Sequence, residues 1–225
     1  MNSKAIIAKL RAQANPKNVA GMARFGINPK NTLGIPVPVL RKTAREIGRN
    51  HRLAQNLWNS GIHEVKILAS MVDDPKEVTE KQMDAWVRNF DSWDVCDQVC
   101  MNLFDKTPFV FKKAKKWTRN EEEFIRRASF ALIACLAVHD KTSPDEKFLQ
   151  FFPLIKKYST DEQNYVKKAV NWALRQIAKG RPKLLKKAID LAKEIEKIDS
   201  KSAKWIAHDA LHELSPLLSF RTDSV

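Results

Sequence analysis

The chain is poor in the residues that make tight turns and covalent cross-links. Of its 225 residues, 6 are glycine, 3 are cysteine and 2 are tyrosine. So little glycine leaves too few turn positions for an all-β sandwich, while a hydrophobic content of 44% excludes a disordered chain. Cys96, Cys100 and Cys135 are an odd number, and no apolar N-terminal stretch suggests export. No disulfide framework is expected, and the expected location is the reducing cytoplasm. No apolar run reaches the roughly 18 residues of a membrane span, so no membrane association is expected. Acidic residues are also in short supply, at 26 against 40 Lys and Arg, which leaves a net charge of +14 and a pI near 9.7. That excess favours a polyanionic partner, of which nucleic acid is the commonest.

What remains reads as helix. Ile6, Ile7 and Leu10 form a short amphipathic run, Asn15-Pro16 breaks it, and Val19, Met22, Ala23 and Phe25 form a second. Residues 26–38 are a linker rich in Pro and Gly, with Pro38 placed to open a helix from Val39 to Gly48. Helices then succeed one another, about a dozen in all, separated at Ser60-Gly61, Asp73-Asp74-Pro75, Lys106-Thr107-Pro108, Ser143-Pro144 and Gly180-Arg181-Pro182. With no shift of composition along the chain, one domain over 1–225 is expected. It comprises N-terminal helices and linker at 1–33, repeats at 34–215 and a tail at 216–225.

The repeats show themselves as self-similarity. Phe124-Ile125-Arg126-Arg127-Ala128 recurs 41 residues later as Tyr165-Val166-Lys167-Lys168-Ala169, with Leu132 and Ala173 in step. Weaker echoes stand at Lys204-Trp205-Ile206-Ala207 and Glu64-Val65-Lys66-Ile67-Leu68-Ala69. This period is that of a HEAT-type helical pair. The expected fold is therefore all-α, an α-solenoid whose stacked pairs expose a long concave surface.

Basic pairs at Lys112-Lys113, Lys115-Lys116, Arg126-Arg127, Lys156-Lys157, Lys167-Lys168 and Lys186-Lys187 are concentrated in the C-terminal half. Repeated at the module period they could form a stripe along a phosphate backbone, or they could be ordinary solubilising lysines. Most of the six tryptophans are expected in the core. Two have neighbours that suggest otherwise. Trp93 and Asp97 are four apart, about 40° on a helical wheel, so indole and carboxylate share a face. Trp172 has Lys168 and Arg175 on its own face, which suits a nucleic-acid surface.

At these residues the chain resembles the HEAT-like repeat DNA glycosylases, the AlkD-type alkylpurine DNA glycosylase family. The resemblance covers nearly the whole chain and rests on Gly34-Ile35-x-x-Pro38-x-x-Arg41, Trp93-Asp94-x-x-Asp97, Arg127-Ala128 and Ala169-x-x-Trp172-x-x-Arg175. It implies a DNA glycosylase of base excision repair that holds double-stranded DNA in a concave groove. Its substrates would be cationic alkylated purines such as 3-methyladenine and 7-methylguanine, removed without a cofactor. Asp97 matches the catalytic carboxylate, Trp93 and Trp172 the aromatics beside the lesion's deoxyribose, Arg127 the basic residue next to them and Arg175 a backbone contact. With Arg126, Lys167 and Lys168 from the basic pairs, these complete the expected DNA-binding set. Phe25 stands where the family has tyrosine and Pro36 where it has a polar residue, so N-terminal contacts with DNA are expected to differ.

Other constellations carry less. His208 and His212 are spaced like a helical zinc pair but lack a third ligand, so no metal is expected. Cys96 and Cys100 read as small core residues. His63-Glu64 and His139-Asp140 read as caps or charge partners at helix ends, and Asp94 as an N-terminal helix charge. A monomer without an obligate protein partner is expected. Two other functions remain open: a noncatalytic HEAT-like repeat protein that binds damaged or branched DNA, and a protein-interaction scaffold.

Overall fold

The computed structural model describes residues 2–222, and every regular element among them is helical. Contacts divide the chain into two compact units that meet in sequence at Phe109 and Val110. In the first unit the helices are α1 (Ser3–Arg11), α2 (Pro16–Arg24), α3 (Val37–Ile47), α4 (His51–Trp58), α5 (His63–Val72), α6 (Glu80–Val87) and α7 (Trp93–Asn102). In the second they are α8 (Val110–Lys116), α9 (Glu123–His139), α10 (Glu146–Leu149), α11 (Phe152–Tyr158), α12 (Asn164–Gly180), α13 (Leu185–Glu196) and α14 (Lys201–Thr222). Each break read from the sequence falls at or near a helix end, with Pro16 the first residue of α2 and Gly180 the last of α12. Two boundaries differ from expectation. Helix α3 opens at Val37, because Pro38 is tolerated in a first turn whose N–H groups need no intrahelical partner. Helix α14 runs through Pro216, so the supposed tail is helical as far as residue 222, while 223–225 lie outside the described residues. A lone proline forfeits one backbone bond, and buried Ala210 and Leu214 anchor the turns before it.

In the first unit the start of α5 organises the rest. Glu64 is buried, and its carboxylate accepts the backbone N–H groups of Leu33 at 2.8 Å, Gly34 at 2.6 Å and Ile35 at 3.2 Å. This closes the proline-rich linker onto α5. The same loop reaches α2, since Asn15 donates its backbone N–H to Leu33 O and Asn18 its side-chain amide to Gly34 O. Gly34 has φ +77°, and a Cβ there would collide with the Asn15 carbonyl, so only glycine fits. The core beneath contains stacked Trp58 and Trp86, 4.0 Å between ring centroids, flanked by Phe90 and Phe104. Two of the six tryptophans are thereby core, and Trp117 is buried in the second unit.

The second unit carries the repeat in its clearest form. Helices α9 and α12 are each 17 residues long and displaced by 41 at both ends. Equivalent residues touch across the pair. Phe124 and Tyr165 stack at 5.5 Å, and Glu123 accepts the Tyr165 N–H at 2.9 Å. At the other end the two helices approach so closely that a Cβ on Gly180 would collide with the Ala137 carbonyl.

Replacing Glu64 with Gln leaves the volume nearly unchanged and turns an NH2 group toward backbone donors. It is expected to destabilise the first unit by roughly 2 to 3 kcal/mol, the range for losing charge-assisted bonds in a buried site. Urea unfolding monitored by the tryptophan fluorescence of the Trp58–Trp86 stack checks this; an unchanged midpoint would remove Glu64 from that role.

Candidate nucleic-acid interface

Helix α7 is divided lengthwise. Val95, Cys96, Val99 and Cys100 are buried, whereas Trp93, Asp94, Asp97, Gln98 and Met101 are half-buried on the opposite side. Trp93 and Asp97 therefore occupy one accessible face, a turn apart, and Cys96 and Cys100 are core. The N-terminus of this helix is held from three directions. The Asp94 carboxylate accepts from Ser92 Oγ and from His63 Nε2, each at 2.8 Å. The Trp93 indole N–H donates to the Phe25 carbonyl at 3.0 Å. Asn28 completes the clasp through its amide to Asp91 at 2.8 Å. Phe25 itself is 75% exposed, a large aromatic left on the surface beside the indole it helps to hold.

Burial alone would raise the Asp94 pKa, but the bonds from His63 and Ser92 and the backbone N–H of Val95 outweigh it and hold the carboxyl below its usual range. His63 and Asp94 thus form a hydrogen-bonded pair that ties the start of α5 to the start of α7.

In the second unit, α12 buries Val166, Ala169, Val170, Ala173, Leu174 and Ile177, and leaves Lys168, Trp172 and Arg175 on the open side. A ladder at four-residue spacing ties α12 to α14. Lys167 lies over the Trp205 ring at 5.1 Å, Asn171 donates to Asp209 at 2.6 Å, Arg175 pairs with Asp209 and Glu213, and Lys179 pairs with Glu213. Lys168 is exposed with no ion-pair partner among the described residues. Arg126 is engaged by Asp161 at 2.5 Å, and Arg127 is buried, donating to the Tyr165 carbonyl at 2.6 Å. Lys113 is buried as well, so the Lys112-Lys113 pair does not present two surface charges. His208 and His212 are exposed on α14, and no group of three candidate metal ligands occurs among the described residues.

The sequence profile of the DNA alkylation repair enzyme family matches residues 6–214. The chain belongs to this family. A comparison with curated proteins gives no match. Among solved structures, the chain is similar to one described as a new family of proteins related to the HEAT-like repeat DNA glycosylases with affinity for branched DNA structures. The TM-score is 0.78 at 19% identity, over 95% of this chain and 96% of that one. The family member described here thus has the HEAT-like repeat fold expected from its 41-residue period.

One cationic grouping was not read from the sequence, although Arg41 stands in the Gly34-Ile35-x-x-Pro38-x-x-Arg41 motif. Arg41, Arg45 and Arg49 are spaced by four along α3 and just past its end, and they line a common cleft. A search for adjacent basic pairs would find only Arg41-Lys42 here, whereas a helical wheel joins Arg41 to Arg45 and Arg49.

The pH dependence of the clasp follows from the direction of the Asp94 shift. Its folded pKa is depressed, so its stabilisation is present above the unfolded value near 3.8 and disappears as pH falls through the lower folded value. Asp94→Asn is expected to cost about 1 to 3 kcal/mol at pH 7 and progressively less toward pH 3. Urea titrations of both proteins at several pH values test it, and a pH-independent difference would rule out the ionised Asp94 carboxylate as its source.

Proposed function

We propose that this protein hydrolyses the N-glycosidic bond of cationic alkylated purines in duplex DNA, 3-methyladenine and 7-methylguanine among them. The observation that carries the reading is the pairing of Trp93 and Asp97 on the accessible face of a helix whose first turn is clamped by His63, Ser92 and Phe25. Fixed charge next to a developing cation is the arrangement that stabilises a transition state without reorganisation. An alkylated purine already carries a positive charge and departs neutral, so the protein need not protonate it. As the C1′–N bond breaks, the sugar gains oxocarbenium character. Asp97 offsets that charge and orients a water, whose oxygen forms the new bond to C1′ while its proton passes to the carboxylate or to solvent. At about 4 Å and an effective dielectric near 20, the attraction is on the order of 4 kcal/mol, or roughly a thousandfold in rate. The Trp93 indole adds about 0.5 to 2 kcal/mol of attraction to a cationic sugar. Trp172 and Lys168 serve as a DNA-facing surface of the second unit. Arg175 contributes there only if a phosphate displaces Glu213 and Asp209 from it.

A second reading, noncatalytic recognition of branched DNA, is favoured by one observation. The solved structure that matches nearly the whole chain is described by that affinity. The two readings separate on base release. Asp97→Asn is expected to reduce single-turnover release of 7-methylguanine by about a thousandfold or more, with DNA affinity nearly unchanged. Equal rates for wild type and variant would exclude Asp97 from the chemistry.

Selectivity follows from the absence of leaving-group protonation in this mechanism. Duplexes with single lesions, incubated with protein in excess and scored for abasic sites, should lose 3-methyladenine and 7-methylguanine and retain hypoxanthine and uracil. Comparable release of hypoxanthine would show that substrate charge does not control the reaction.

A further inference from the structure

The first unit contains a cleft of about 530 Å³ along the solvent side of α3, closed by the C-terminal ends of α5 and α7. Arg41, Arg45 and Arg49 line one wall, and Pro38, Ala44 and Met71 provide apolar surface between them. No carboxylate lines it. Arg41 and Arg45 are exposed and have no ion-pair partner among the described residues, unlike most of the arginines of the second unit. Arg49 is fixed, because its guanidinium donates to the carbonyls of Met71 and Asp73 at the end of α5. Asp73, whose carbonyl holds Arg49, directs its own carboxylate to His51 at 2.7 Å and Gln82 at 2.6 Å.

We propose that this cleft seats an unpaired nucleotide of a DNA strand, with its phosphates on Arg41 and Arg45 and its base on the apolar surface of Pro38, Ala44 and Met71. Three features select that occupant. Guanidinium groups one helical turn apart, about 6 Å along the axis, can engage successive phosphates of one strand. A phosphate alone would leave most of the volume and all of the apolar wall unused, whereas a base fills both, and guanidinium planes also accept stacked bases. A base paired within a duplex presents only its edges, so the occupant must be unstacked and unpaired. The cleft touches α7 at Asn102, nine residues and about 14 Å of helix from Trp93, which makes it a second site. Such a seat would favour flaps, gaps and branch points over continuous duplex. The proposal rests on the reading of the protein as a DNA-binding one, but it requires no chemistry at Asp97.

The test compares an undamaged blunt duplex with the same duplex carrying a short single-stranded flap, by fluorescence anisotropy at several salt concentrations. Wild type should bind the flap DNA about tenfold more tightly, the scale of one stacked base. Arg41→Gln with Arg45→Gln should abolish the preference and flatten the salt slope on flap DNA by about 1.4, at roughly 0.7 per single-strand phosphate. Ala44→Glu, which places a carboxylate in the cleft and spares both arginines, should also abolish it. Lys193→Gln with Lys197→Gln removes the same net charge from exposed positions on α13 and just past its end, and should leave the preference intact. A wild type without flap preference, or a preference that survives the arginine substitutions, overturns the proposal. So does equal weakening on both DNAs, or displacement of flap DNA by an equal concentration of thymidine monophosphate, which would assign the cleft to a free nucleotide. Base release from methylated duplex by the wild type is scored alongside. Flap preference without release would sink the hydrolytic reading and support the cleft, and release without preference would do the reverse.

Discussion

Two neighbouring residues at the start of α5 hold the first unit from opposite sides. Glu64 gathers the backbone of residues 33–35, and His63, one position earlier, grips Asp94 at the start of α7. A buried carboxylate is tolerable only when its lone pairs are filled, and here backbone N–H groups that have no helical partner fill them. The same bonds convert a linker of prolines and glycines into a fixed strut. His63 also donates its backbone N–H to Asn31, so loop, helix and site are tied at one point. The orientation of Trp93 and Asp97 depends on this node, because α7 enters the unit through Asp94 and Ser92.

Net charge is a poor map of where a polyanion would bind. The excess of 14 positive charges is real, yet much of the basic content of the second unit is committed internally. Arg126 neutralises Asp161, Arg127 satisfies a carbonyl, and Arg175 and Lys179 share Glu213. Each such pair stiffens the contact between successive helices at modest net energy, since partly exposed pairs are screened. The open cations are sparser and include the α3 arginines, which recur at a four-residue spacing along one helix face. Electrostatic recognition here depends on which charges the packing leaves without partners.

Much of the architecture was legible in the chain. Proline, glycine and Asn breaks mark helix ends because they alter φ or cap N–H groups locally, and each one read from the sequence falls at or near a helix end. The 41-residue period marks α9 and α12 to the residue, because both bury the same apolar positions against equivalent neighbours. The shared face of Trp93 and Asp97 was also legible, since four residues on a helix subtend a fixed angle. Less legible were the pairings of polar residues. Glu64 reads as a cap or charge partner at a helix end, a role in which its own helix would suffice, and nothing in its neighbours announces a loop 30 residues away.

The sequence by itself determined the helices, their order, the repeat and the candidate pair on α7, because local periodicity and steric limits fix those without reference to distant residues. It also determined membership in the DNA alkylation repair enzyme family. Tertiary structure decided which polar groups are paired and with whom: Glu64 with residues 33–35, His63 with Asp94, Arg175 with Glu213, and Arg41 and Arg45 with no acid among the described residues. Those outcomes depend on the separation of side chains brought together from remote positions, and a few ångströms separate a neutralised cation from one available to a phosphate.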